Sequence, residues 1–214
     1  MKIKILSVAL GIVLSATVMS ASAQKAYTEG LITISTSANG QAAEAKEYFT
    51  ADSVATVATM GPATLTFLGS ANEKFFAVLV SVPVASMKKA GVASPDDIDQ
   101  AISSYPTFTF AATTETKQIS GFNCKKVVAT DNKDKKTYDV WVTNDISVPA
   151  CAVPKYYATI GGFPVQYTAF QQGRAAKATV TAVTDQKAPK GTFSIPADYD
   201  KITLEELKSM NGNH

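Results

Sequence analysis

From Ala63 to Leu68 the chain alternates: Ala63, Leu65 and Phe67 fall on one face and Thr64 and Thr66 on the other, the period-two pattern of a half-buried strand. The same period returns at Thr107–Ala112, where Phe108, Phe110 and Ala112 alternate with Thr107, Thr109 and Ala111. Strands are also expected at Leu31–Ser35, at Ala45–Thr50, and at Ser53–Met60, which the turn pair Gly61-Pro62 separates from the strand after it. Phe75–Val84 is apolar on both faces, as in a central strand covered on both sides or one lining a cavity. Cys124–Ala129 and Thr137–Thr143 flank a charged turn, Asp131–Lys136, and predict a hairpin whose return strand carries the strong strand formers Tyr138, Val140, Trp141 and Val142. Val165–Gln171 and Ala175–Thr184 flank Gln172-Gly173 in a second hairpin pattern.

The period changes between Ala85 and Pro106. Ser94 is placed as an N-cap, Pro95 as a first-turn proline, and Asp96 and Asp97 as first-turn acids; Ile98, Ala101 and Ile102 form the apolar stripe of a short helix that Pro106 stops. Met87–Ala90 reads as one more helical turn, ended by Gly91. Thr203 and Glu206 have capping-box spacing and predict a C-terminal helix. Residues 147–164 are irregular, with three prolines and Gly161-Gly162, yet they carry Tyr156, Tyr157, Ile160 and Phe163; a loop of this kind folds over a sheet face or forms the lip of a pocket. The pattern predicts one mainly β (α+β) domain of many antiparallel strands with one or two small helices.

The N-terminus changes the charge argument. Lys2 and Lys4 precede an apolar run from Ile5 to Met19, and Ala21-Ser22-Ala23 has the small-x-small form of a cleavage site, so residues 1–23 are read as a signal peptide cleaved after Ala23 and 24–214 as the mature periplasmic domain. The run is short for a bilayer span of about 20 residues. The whole chain has 20 Lys and Arg against 18 Asp and Glu; without Lys2 and Lys4 the charges balance, which gives no support to a nucleic-acid partner. Cys124 and Cys151 are the only cysteines. In an oxidising compartment they are expected to pair, closing a loop worth about 3–4 kcal/mol on the entropy account, with two separate buried thiols as the alternative.

No constellation points to catalysis, a metal or a cofactor. His214, the sole histidine, sits in an Asn-Gly-Asn-His tail. Asp96, Asp97 and Asp99 sit where a helix start favours negative charge. Asp131–Lys136 lacks the glycine and terminal glutamate of a calcium loop, and Gly161-Gly162 is too short to cradle phosphate.

The stretches GFNCKKVVATDNKDKKTYDVWVTNDI (Gly121–Ile146), GGFPVQY (Gly161–Tyr167) and FSIPADYDKIT (Phe193–Thr203) together carry a resemblance. They resemble an uncharacterised exported bacterial family with a Gly-aromatic-x-Cys-Lys-Lys hairpin, a Trp-Val-Thr return strand and a Phe-x-Ile-Pro-x-x-Tyr ending. That family is similar to the periplasmic lipoprotein-carrier superfamily of lipoprotein localisation factors and an anti-sigma-factor-binding sensor. The resemblance covers about residues 27–207. It implies a single open, strongly curved antiparallel sheet, a half-barrel with short helices in its concavity, where carriers hold acyl chains. The expected function is non-enzymatic binding of an apolar ligand (lipid, acyl chain or lipidated peptide) at Phe108, Phe110, Trp141, Phe163 and Tyr167, with peripheral membrane contact. The alternative is an envelope protein-interaction or sensor module using the concave face.

Overall fold

The computed structural model describes residues 24–38, 41–171 and 174–211. The expected signal peptide, the Gln172-Gly173 turn and His214 lie outside them. In chain order the strands are β1 (Lys25–Ala26), β2 (Gly30–Ala38), β3 (Gln41–Phe49), β4 (Ser53–Met60), β5 (Ala63–Ser70), β6 (Phe76–Val82) and β7 (Met87–Val92). Helix α1 (Pro95–Ser103) follows, then β8 (Phe108–Ile119), β9 (Phe122–Asp131), β10 (Thr137–Thr143), β11 (Ile146–Ser147), β12 (Phe163–Gln171), β13 (Arg174–Thr184), β14 (Asp200–Thr203) and α2 (Leu204–Asn211).

Twelve strands make one open sheet in the order β14-β7-β6-β5-β4-β3-β2-β13-β12-β10-β9-β8. Successive hairpins run antiparallel, and only β14, beside β7, is parallel within it. β1 and β11 form a separate parallel pair. The fold is mainly β with few short helices, as the alternation predicts. Both helix starts follow the sequence. Ser94 Oγ accepts the Asp97 N–H while Asp97 caps the Ser94 N–H, and Thr203 and Glu206 exchange the same bonds.

Two expectations fail. Met87–Ala90 is not helical: it opens β7, and helical structure there is confined to one 3-10 turn at Pro83–Ala85. β7 has no clean alternation because both of its faces are occupied: Ala90 is buried in a small aliphatic cluster, and Gly91 meets Leu207 of α2, where an added Cβ would come within 2.7 Å of Leu207 Cδ2. The second failure is the disulfide. Cys124 and Cys151 are both free: the Cys124 thiol meets the Phe122 carbonyl and the Cys151 thiol the Thr50 carbonyl. Cys124 opposes Thr143 and Lys117 on a face of β9 turned away from the segment that carries Cys151, so the sheet stands between the two sulfurs.

Register assigns the two faces, because directly opposed residues share one. Phe110 and Tyr138 both oppose Ala129, and Val140 opposes Val127. Farther along, Tyr167 opposes Ala178, Ile34 opposes Val180, and Glu47 opposes Ile32 and Thr56. These residues form what we call the strap face, because residues 148–162 cross it. Trp141, opposite Lys126 and Gln166, lies on the other face. Over β4–β7 that other face carries Ala55, Leu68, Ala77, Leu79 and Ala90, covered by Phe193, Ile195 and Tyr199 of the C-terminal segment.

Candidate functional site

The strap is built from two 3-10 turns, Ala150–Ala152 and Lys155–Tyr157, each preceded by a proline, Pro149 and Pro154, that presets its entry. Two hydroxyls fix it to β12: Tyr157 donates to the Thr168 carbonyl at 2.9 Å, and the Phe170 N–H donates to Tyr156 Oη at 3.1 Å. Lys155 pairs with Glu73 at the far side of the crossing. Tyr157 is 0% exposed; its ring stacks on Phe108 at 5.5 Å and 11° and meets Tyr167 edge-on at 5.7 Å.

Around this centre the rings continue outward. Tyr138 stands at right angles to Phe170 at 5.1 Å, Tyr156 packs edge-on against Phe170 at 5.4 Å, and Phe108 touches Phe110, Tyr138 and Phe170. Tyr105, after α1, closes the ring set against Tyr156. The inner members Tyr157 and Tyr167 are buried, whereas Phe108, Phe110, Tyr138, Tyr156 and Phe170 are only partly buried and Tyr105 is 39% exposed. The strap therefore seals the middle of the cluster and leaves a contiguous aromatic rim.

Burial sets the electrostatics. It pushes the Tyr156 phenol up to about 12 and raises the Tyr157 and Tyr167 phenols too, so all three stay neutral donors or acceptors at physiological pH. Glu47 is half-buried beneath the strap, near Cys151, Tyr156 and Tyr167. Burial lifts its carboxyl to about 7, a rise that the hydrogen bond from the Thr56 hydroxyl, 2.8 Å long, only partly offsets. Burial also raises Cys124, to about 11, and Cys151.

Of the residues expected to form a site, the structure brings Phe108, Phe110 and Tyr167 together on the strap face. Phe163 is buried at the start of β12, opposite Thr143. Trp141 belongs to a different surface: its indole lies under Lys117 Nζ at 4.0 Å, in a polar groove with Lys126, Gln166 and Lys177. Sequence reasoning missed Tyr138 and Phe170 as rim residues and Glu47 altogether. A signal for Glu47 existed: two residues before Phe49 in a strand, it must share that residue's buried face. Among the described residues no group of His, Cys, Asp and Glu is placed to hold a metal ion.

No protein-family model and no curated protein sequence matches the chain. Among solved structures it is similar to PNGF-II, in its C2 and P21 crystal forms. The TM-score is 0.51 in both, with identities of 17% and 16% over 86% and 87% of this chain and 33% and 34% of the other. The chain thus spans about a third of the length of the solved structures it matches. At such identity the likeness concerns the fold alone.

Proposed function

We propose that the protein is exported to the cell envelope with residues 1–23 removed, and that it there binds an apolar ligand, an acyl chain of a lipid or lipidated peptide, without catalysing a reaction. The observation that carries this reading is the aromatic rim: partly buried Phe108, Phe110, Tyr138, Tyr156 and Phe170 surround a sealed aromatic core. Each such ring forgoes part of about 2–3 kcal/mol of burial that an apolar partner would supply. The kinship with periplasmic lipoprotein carriers belongs to the same proposal. Calorimetric titration with lysophospholipid should show saturable binding that Phe108→Ser weakens about tenfold. Absence of binding at saturating lipid by a folded protein would remove the reading.

A second reading, an envelope protein-interaction module, is favoured by β8. It is an edge strand twelve residues long, and its first residues carry Phe108 and Phe110. A peptide strand added there would reach the rim through its side chains. Binding of an extended apolar peptide in place of lipid, abolished by proline at Ala111, would select it.

A further inference from the structure

On the face opposite the strap, β8, β9, β10, β12 and β13 expose a groove of about 570 Å³ around Trp141. That volume is within the range of small-molecule sites, about 300–1,000 Å³. Two kinds of lysine line it. Lys126, whose side chain is only 17% exposed, is already matched by Glu115 Oε1 at 3.0 Å and Asp139 Oδ2 at 2.9 Å. Lys117 and Lys177, both exposed, have no carboxylate partner among the described residues. Lys117 instead rests on the indole face and donates to Gln166 Oε1 at 3.2 Å; the Gln166 amide nitrogen donates in turn to Thr179 Oγ1 at 3.2 Å, which fixes the amide's orientation.

We propose that this groove binds a short acidic saccharide, a sugar chain bearing a carboxylate. The chemistry follows from what the groove offers together. Two unmatched ammonium groups pair with carboxylates of the ligand. Glu115, Asp139 and Gln166 supply acceptors, and Thr137 and Thr168 hydroxyls serve either way, as a polyhydroxylated ligand requires. The same carboxylates repel a densely charged anion such as a phosphate cluster. Trp141 is the apolar wall for the C–H face of a sugar ring, and Lys117 holds that wall until a carboxylate draws the ammonium away, because a charge-assisted pair is stronger than an exposed cation–π contact. The site is independent of the rim on the other face.

Trp141 is the only tryptophan, so its emission reports on this groove alone. Digalacturonate titrated into the mature full-length chain should shift or quench it saturably, while cellobiose at the same concentration leaves it unchanged. Lys117→Gln and Lys177→Gln should each weaken digalacturonate about tenfold, the loss of one charge-assisted bond. Lys177 is exposed, so its variant keeps the wild-type circular dichroism. The proposal is overturned by no response to digalacturonate, by an equal response to cellobiose, by an equal saturable response to sodium sulfate at matched ionic strength, or by unchanged affinity in both lysine variants. Lysophospholipid binding, read by calorimetry, is unaffected by either result.

Discussion

The two ends of the sheet are covered in the same manner with different material. Toward β8, the strap lays Tyr157 onto Phe108 and Tyr167, and the buried set beneath it includes Ile32, Val140, Val165 and Val180 at 0–1% exposure. Toward β7, and on the opposite face, the C-terminal segment rests Phe193, Ile195 and Tyr199 on a floor where Ala55, Ala77 and Ala90 join Leu68 and Leu79. All three covering side chains there stay half-exposed, and the segment is fastened by surface pairs, Lys88–Asp198 and Lys89–Asp200. Exposed pairs add little, and a small-residue floor removes less apolar area from water. Close approach of an irregular segment does not by itself make a strong core. The side chain it inserts decides that.

The sharpest way to break this contrast is to truncate each insert. Tyr157→Ala should cost about 3–5 kcal/mol in urea unfolding, since it empties a fully enclosed site and orphans the Thr168 carbonyl, whereas Phe193→Ala should cost about 1–2 kcal/mol. Equal losses would show that both covers contribute alike.

Glu47 gives the strap end a pH dependence on the neutral side of the carboxylate range, whereas Asp198 at the other end is held down by Lys88. Its folded value, about 7, lies above the ordinary 4.5, so between those values the folded chain holds a proton that the unfolded chain releases. Stability therefore falls as pH rises from about 4.5 to about 7, by up to about 3 kcal/mol, and is level above that. The facing thiol of Cys151 and the phenols of Tyr156 and Tyr167 are pushed up by burial, and Asp52 is held down by the Thr50 and Ser53 hydroxyls, so none of them titrates in this window. Glu47→Gln should flatten the urea midpoint across it; a variant that keeps the wild-type slope would clear Glu47 of the effect.

At the β7 end, Gly91→Ala drives a Cβ to 2.9 Å from Leu207 Cβ, which is not the flexible tip of that side chain. α2 must shift, at about 1–3 kcal/mol, and hydrogen exchange should rise in Leu204–Asn211 while the strap amides keep their protection. The smallest effect is expected of Lys155→Ala: it removes a surface pair with Glu73, and the midpoint should not move measurably. A clear loss would mean that the pair, and not Tyr157, anchors the strap.

Much of this was legible in the chain. Alternation located the strands around Leu65–Phe67 and Phe108–Phe110, and cap residues located both helices. The side of the sheet taken by Trp141 depended on a register already implied by Tyr138 three residues earlier, since an odd offset sends the two rings to opposite faces. What could not be read locally was which segment covers which face. The strap is irregular in sequence, and its closure depends on contacts such as Tyr157 with Phe108, 49 positions away in the chain. β7 was misread for the same reason: Ala90 and Gly91 are explained only by partners from distant strands and from α2.

The asymmetry of the sheet's two borders has a consequence for self-association. β14 is four residues long and turns at once into α2, whereas β8 offers twelve residues interrupted by a bulge between Ala112 and Thr116. An unpaired strand therefore finds a longer template at the β8 border than at the β14 border, so edge addition between copies is directed to β8.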